Sequence, residues 1–139
     1  SRENIFLFLG NRELFDTFFE KRKRLASYYR EHLFDIGDIV LPGVHPKTEC
    51  VWNSYVIRTQ ESEKLFEKLN REKIPVRRYA SYFLPGLQEG YTKGSFPVSE
   101  KISVEAICLP RLKVFSSEIE DGRYPEQAVS LVRSFYGRH

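Results

Sequence analysis

Helix-like and strand-like segments alternate along almost the whole chain of 139 residues, and this order restricts the fold more than any other feature. Apolar residues at a spacing of 3.6 predict helices over residues 11–33 and 61–72, a third helix beginning at Pro97, and a C-terminal one. Short apolar runs in the Val51, Ile74 and Ile107 regions predict strands. The order α-β-α-β-α-β-α therefore predicts an α+β domain with a small sheet of about three strands.

The buried faces of these elements can be assigned from the same periodicity. The strand over 51–58 is apolar on both faces, which predicts a central strand that is covered on both sides. The first helix carries its charges over 20–24, which we interpret as its solvated face. Pro97 suits a first helical turn, with Val98, Ile102 and Ala106 on the inner side of that helix. The apolar stripes of the first, second and last helices are Leu14, Phe15, Phe18, Phe19, Leu25, Tyr29 and Leu33; Leu65, Phe66 and Leu69; and Ala128, Val129, Leu131, Val132 and Phe135.

Composition excludes several classes of protein. The chain has 41% hydrophobic and 29% charged residues and a net charge of +3, which fits one globular domain and argues only weakly for nucleic acid. Cys50 and Cys108 have neither metal-ligand spacing nor the density of a disulfide framework, so we expect a reduced, cytoplasmic protein with Cys108 as a small buried side chain. No run is long enough for a membrane span. The sequence predicts no metal site.

The segment over residues 71–88, REKIPVRRYASYFLPGLQ, carries the most functional information. Pro75 belongs at the mouth or the edge of a strand, and this strand delivers two guanidinium groups and a phenol into an aromatic loop. Arginine binds phosphate and carboxylate in a bidentate manner, so this strand could border a site for an anionic ligand. A basic edge strand that is kept soluble by its charges is an equally common explanation. Spacing alone favours that second interpretation.

Four strings carry a resemblance to a known family: FFEKRKRLASYYREHL, VWNSYVIR, LFEKLNREKIPVRRY and GSFPVSEKISVEAICLP. In order and spacing they are similar to the C-terminal part of the DegT/DnrJ/StrS family of sugar aminotransferases. The similarity extends from about residue 12 to the end of the chain. The matching positions are Lys21, Arg22, Ala26, Tyr28 and Tyr29; residues 53–58; residues 74–79; Phe96 and Pro97 with residues 99–101; and Leu109 with Pro110.

The resemblance implies a C-terminal fragment of a fold-type I enzyme that uses pyridoxal phosphate. In such enzymes the Schiff-base lysine and most phosphate ligands lie in a large N-terminal domain, which has no counterpart here. We therefore expect residues 1–139 to form one domain, with 1–10 as a lead-in, that binds no cofactor and catalyses no reaction by itself. The implied partners are the N-terminal large domain, a second subunit in a homodimer, and a nucleotide sugar used in amino-sugar or polysaccharide biosynthesis.

The resemblance also implies which side chains approach the substrate, because the end of the second strand lies near the sugar nucleotide in these enzymes. The expected substrate-binding residues are Arg77, Arg78, Tyr79, Asn53 and Tyr82, and none is expected to be catalytic. Tyr79 stands where the family often has histidine, and Leu84-Pro85 replaces another histidine pattern, so the substrate stays open. Alternate strand residues face opposite sides, so only one arginine can point at the ligand, and Arg77 with Tyr79 forms the natural pair.

Two other classes fit parts of the pattern. A small-molecule regulatory module would also place helices on a three-stranded sheet, and it would bind its ligand as an independently folded dimer. An RNA-binding domain could use Arg71, Lys73, Arg77, Arg78, Tyr79 and Tyr82 as a basic aromatic platform. The apolar character of both faces of the first strand argues against such an open platform. The aminotransferase domain ranks first, the regulatory module second and RNA binding third.

Overall fold

The computed structural model describes residues 12–78, 89–111 and 123–137, and it contains the predicted α-β-α-β-α-β-α order. The α+β prediction is therefore confirmed. Tyr79, Tyr82 and the lead-in over 1–10 lie outside the described residues. The elements, in chain order, are helix α1 Arg12–Leu33, strand β1 Val56–Arg58, helix α2 Ser62–Arg71, strand β2 Arg77–Arg78, helix α3 Pro97–Glu105, strand β3 Ala106–Cys108 and helix α4 Arg123–Phe135.

The three strands form one antiparallel sheet in the order β1-β3-β2. The prediction that the first strand is central was wrong, because β3 occupies the middle; among the described residues, β1 has a single bridge on its other side, between Val40 and Arg58. The strand is also shorter than predicted: Trp52 has a φ of 52°, which interrupts the extended backbone before β1. Apolar residues on both faces of a strand predict that both faces are covered by other elements. They do not predict which strands pair with it in the sheet.

The core lies between one face of the sheet and helices α1, α2 and α4. Ile57 of β1 and Ile107 of β3 are directly opposite each other and fully buried. The predicted stripes of α2 and α4 supply Leu65, Leu69 and Val132, which are also fully buried. Burial of each large aliphatic side chain contributes about 1.5–3 kcal/mol, so this cluster holds the helices on the sheet.

Helix α1 is anchored by Tyr29, whose ring is completely buried and whose hydroxyl donates a hydrogen bond to the carbonyl of Pro110 at 2.8 Å. Burial raises the pKa of this phenol above its ordinary value. Because the buried hydroxyl is satisfied, Tyr29 adds apolar area to the core without the cost of an orphaned donor. The contact also fixes the chain where it leaves β3.

Helix α3 differs from its prediction. Pro97 does occupy the first turn, where Glu100 accepts hydrogen bonds from the backbone of Gly94 and Phe96. Val98 and Ile102, however, are exposed, at 70% and 38%, and Ala106 belongs to β3. The less exposed positions of the helix are Glu100, Ser103 and Glu105, and the hydroxyl of Ser62 on α2 donates a hydrogen bond to the carbonyl of Val104. The i, i+4 spacing of Val98 and Ile102 correctly places both residues on one side of the helix, but that side is exposed.

Candidate functional site

The register of the sheet separates its two faces. Val56, Cys108 and Arg77 lie directly opposite one another, and Ile57, Ile107 and Arg78 form the next row. Directly opposite residues share a face, and successive residues alternate between faces. Ile57 and Ile107 belong to the helix-covered core, whereas Val56 and Cys108 do not. We call the face that carries Val56, Cys108 and Arg77 the outer face of the sheet.

Arg78 lies on the core side and is bound to helix α2. Its Nη1 is 3.4 Å from Oε1 of Glu63, its guanidinium carbon lies 6.0 Å from the ring centroid of Phe66, and its side chain is 23% exposed. The Nε atom is buried and has no partner within the described part of the chain. These contacts indicate a structural role for Arg78, whose side chain covers the end of the core.

Arg77 lies on the outer face and is exposed. Within residues 12–78, 89–111 and 123–137 it forms no hydrogen bond or ion pair. Cys108, beside it in the central strand, is buried, as predicted for a small apolar side chain, so the middle of the outer face is covered while Arg77 on β2 is exposed. Within those residues Arg77 is thus a charge without a partner on a fixed strand, an arrangement that suits an anionic ligand.

Asn53 precedes β1 and is not close to the end of β2. Strands β1 and β2 both run antiparallel to β3, so they are parallel to each other. The start of β1 therefore lies at the opposite end of the sheet from the C-terminal end of β2. Asn53 instead meets helix α1, where its Oδ1 accepts a hydrogen bond from Nη2 of Arg22 at 3.2 Å. Of the expected substrate residues that the structure describes, Asn53 thus contacts helix α1, Arg78 contacts helix α2 and Arg77 is exposed.

Arg22 was missed because it lies inside the charge run that we interpreted as solvated. The other members of the run behave as expected: Lys21 and Arg24 are exposed, and Lys23 binds Glu20 and Glu49 at 3.3 Å. Arg22 turns inward, with its guanidinium carbon 4.3 Å from the ring centroid of Phe18. The available signal was the Phe18–Arg22 spacing of i, i+4, which places an aromatic ring and a cation side by side on a helix.

The described lysines do not fit a Schiff base. Lys47, Lys73 and Lys93 are exposed, and the pKa values of Lys23 and Lys64 are raised by hydrogen bonds to carboxylates, the opposite of what a nucleophilic amine needs. Among the residues described here, no group of three or more histidine, cysteine or acidic side chains could hold a metal. No helix within the same residues is long and apolar enough to cross a membrane.

Comparisons with known proteins show the family of this chain. Residues 9–121 match the DegT/DnrJ/EryC1/StrS aminotransferase family, and the chain belongs to this family of pyridoxal-phosphate-dependent enzymes of sugar biosynthesis. It is 30% identical over 114 residues to the erythromycin biosynthesis sensory transduction protein EryC1 of Saccharopolyspora erythraea, covering 76% of this chain and 30% of the relative. It is 32% identical over 102 residues to the dTDP-3-amino-3,6-dideoxy-alpha-D-galactopyranose transaminase of Aneurinibacillus thermoaerophilus, covering 71% and 28%.

Solved structures of the family share the fold. A DegT/DnrJ/EryC1/StrS aminotransferase from Brucella abortus superposes with a TM-score of 0.73 at 26% identity, covering 94% of this chain and 34% of that one. DesV of S. venezuelae, solved in complex with a ketimine intermediate, superposes with a TM-score of 0.71 at 24% identity, covering 89% and 33%. The chain thus spans about a third of the length of the proteins it matches.

Proposed function

We propose that this chain is the C-terminal small domain of a pyridoxal-phosphate-dependent nucleotide-sugar aminotransferase, in which the outer face of the sheet borders the substrate cleft. The observation that carries the proposal is the contrast between neighbouring arginines: Arg78 is bound to Glu63 on helix α2, whereas Arg77 is exposed and unpaired within the described chain. A nucleotide sugar carries a diphosphate, and a guanidinium on a fixed strand is the side chain best suited to bind it. We assign Arg77 to this contact, and Tyr79 and Tyr82, which lie outside the described residues, stay candidates from the sequence.

The rest of the enzyme lies in a longer protein under this proposal. A large N-terminal domain supplies the Schiff-base lysine, binds the cofactor phosphate and completes the cleft, and two subunits form a cytoplasmic homodimer. Pyridoxal phosphate supplies the electron sink for amino-group transfer in that domain. This chain binds and orients the nucleotide part of the substrate, and it does not take part in proton transfer.

The two other classes receive less support. RNA recognition by a sheet needs exposed aromatic rings on an open face, and the described positions of the outer face are Val56, Arg58, Arg77, Ala106 and Cys108. The centre of that face is buried at Ala106 and Cys108. A freestanding regulatory module would not need a missing domain, and the coverage of only about a third of each relative favours a domain of a larger enzyme.

Transamination of a nucleotide-linked keto sugar by the longer protein tests this proposal. With pyridoxal phosphate and an amino donor, the longer protein should convert the keto sugar to the amino sugar, and it should discriminate strongly against the same sugar without its nucleotide. The chain of 139 residues, assayed in the same way, should produce no amino sugar. Equal rates of transamination for the free sugar and the nucleotide-linked sugar would show that the protein does not recognise the nucleotide. That result would refute a nucleotide sugar as the substrate.

A further inference from the structure

The loop of residues 42–54, which precedes strand β1, lies between two open grooves. A groove of about 480 Å³ includes Trp52 and Val56 in its wall. A groove of about 400 Å³ lies against the first turns of helix α1 and includes Phe19 in its wall. Cys50 and Val51 line both grooves. The two grooves therefore form one surface, which we call the loop surface, with these two residues at its centre.

The centre of the loop surface is apolar and open to solvent. Val51 is 51% exposed, and the Cys50 thiol is exposed as well. Charged groups lie beside this centre: Lys23, which lines the second groove, binds Glu20 and Glu49 at 3.3 Å. Protein interfaces typically have this pattern of an apolar centre and a polar rim. A single exposed valine is ordinary, but an apolar centre that two grooves share indicates a surface that another element covers.

The loop surface is preformed, because contacts on either side of its centre fix the backbone. Glu49 is bound to helix α1 by its ion pair, and Asn53 accepts a hydrogen bond from Nη2 of Arg22 at 3.2 Å. Trp52 has a φ of 52°, which bulky residues rarely adopt, and its ring lies 5.3 Å from that of Tyr55 in the core. A surface that is ordered before binding loses less conformational entropy when a partner docks.

The loop surface connects two features of the proposed enzyme. Val56 belongs both to the first groove and to the outer face of the sheet, which is proposed to border the substrate cleft. Asp16 and Phe19, in the first turns of helix α1, belong to the second groove. In the longer protein proposed above, the large N-terminal domain precedes helix α1, and about two thirds of the length of the relatives lies outside this chain. That domain is therefore tethered beside the loop surface, and the tether gives it a high effective concentration there.

We propose that the loop surface is the docking site of the large N-terminal domain, with Val51 and Trp52 against apolar side chains of that domain. The ion pair of Lys23 with Glu49 lies at the rim of the contact. This inference rests on the proposed function, since its occupant is the domain that the proposed function requires. It names the contact that holds this chain against that domain, and Arg77 has no part in it. A second copy of the chain is the alternative occupant, and the tether favours the domain.

Cys50 reports on whether the loop surface is covered. It is exposed in this chain, whereas Cys108, the only other cysteine, is buried. The test treats the 139-residue chain and the longer protein with N-ethylmaleimide and follows the labelling of the tryptic peptides 48–58 and 102–111, which carry one cysteine each. Cys50 should be labelled at least about tenfold more slowly in the longer protein, because the docked contact has to open before the reagent reaches the thiol. Slow labelling of Cys108 shows that both proteins are folded.

A matched pair of variants tests whether Val51 makes the contact. Val51→Asp places a charge at the centre of the loop surface, and Val98→Asp places the same charge on helix α3, where Val98 is 70% exposed. Each variant is measured in the chain and in the longer protein, so that a direct effect of the new charge on the thiol cancels in the ratio of the two rates. The ratio should fall to nearly one in Val51→Asp, because burial of an unpaired carboxylate is unfavourable. It should keep its wild-type value in Val98→Asp.

Three results would overturn the proposal. They are equal labelling rates of Cys50 in the wild-type chain and the longer protein, an unchanged ratio in Val51→Asp, and protection of Cys50 that appears in the chain itself as its concentration rises. The last result would assign the loop surface to a second copy of the chain. Slow labelling of Cys108 checks the fold of each variant, and the comparison of the wild-type proteins needs no variant.

Transamination does not enter this measurement, so the two proposals can fail separately. An unprotected Cys50 in a longer protein that transaminates nucleotide sugars would refute the docking contact alone. A protected Cys50 in a longer protein that does not act on nucleotide sugars would support the docking contact and refute the substrate class alone.

Discussion

The hydroxyl of Tyr136, at the end of helix α4, donates a hydrogen bond to Oδ1 of Asp38 at 2.6 Å and so joins the C-terminal helix to the loop after α1. Thr59 donates to the same oxygen at 2.6 Å, and the backbone of Gln60 donates to Oδ2 at 2.7 Å. Gly37, next to Asp38, has a φ of 56°, and the Tyr136 ring occupies the space that its Cβ would take. One carboxylate therefore connects three segments that are distant in sequence.

Replacement of Asp38 by Asn should make stability less dependent on pH. Partial burial by itself would raise the pKa of Asp38, but the hydrogen bonds from Thr59, Tyr136 and Gln60 outweigh it and lower that pKa. A depressed carboxyl pKa stabilises the fold above the unfolded-state pKa, and this contribution is lost as pH falls through the folded-state pKa. We expect Asp38→Asn to cost about 1 kcal/mol at neutral pH.

The difference in unfolding free energy between wild type and Asp38→Asn should stay constant above a pH of about 5 and shrink below it. Urea unfolding at several pH values measures this. The exposed Glu67→Gln variant is the control and should follow the wild type. A difference that remains constant into strongly acidic solution would contradict the assigned role of the carboxylate.

Replacement of Gly37 by Ala should destabilise the domain by at least about 2 kcal/mol, because a side chain is unfavourable at positive φ and the new methyl would overlap the Tyr136 ring. Gly43→Ala is the matched control: no atom lies within 4 Å of its added Cβ, and its φ is not positive. Thermal unfolding compares the two. Similar melting temperatures for both variants would show that Tyr136 is not held against Gly37.

Pyridoxal phosphate mixed with the chain alone should give no stoichiometric adduct after borohydride reduction. The described lysines are exposed or half-buried, and hydrogen bonds to carboxylates raise the pKa values of Lys23 and Lys64, whereas a Schiff-base lysine at neutral pH requires burial and a lowered pKa. Peptide mapping by mass spectrometry measures the labelling of each lysine, and it should be low and spread over several exposed positions. Labelling of a single lysine of this chain in a one-to-one ratio would contradict the assignment of the Schiff-base lysine to another domain.

The order of elements could be predicted from the sequence because helices and strands impose different apolar periods, and residues such as Leu65, Leu69 and Val132 have the predicted burial. Position within the sheet could not be predicted, since β1 and β3 are both apolar runs and only long-range pairing makes β3 central. The opposite facing of Arg77 and Arg78 follows from strand alternation. The inward turn of Arg22 depends on Asn53, which is 31 residues away, and no local pattern contains that contact.

The central claim is that Arg77, and not Arg78, reads the substrate, and a comparison of their alanine variants in the longer enzyme tests it most directly. Arg77→Ala should raise the KM for the nucleotide sugar by about 10- to 100-fold, the loss of a charged hydrogen-bonding partner. Arg78→Ala should change KM little and lower stability by less than about 1 kcal/mol, because its ion pair with Glu63 is largely exposed. Equal and small changes in KM for the two variants would contradict the claim and leave β2 as a basic edge strand without a role in substrate binding.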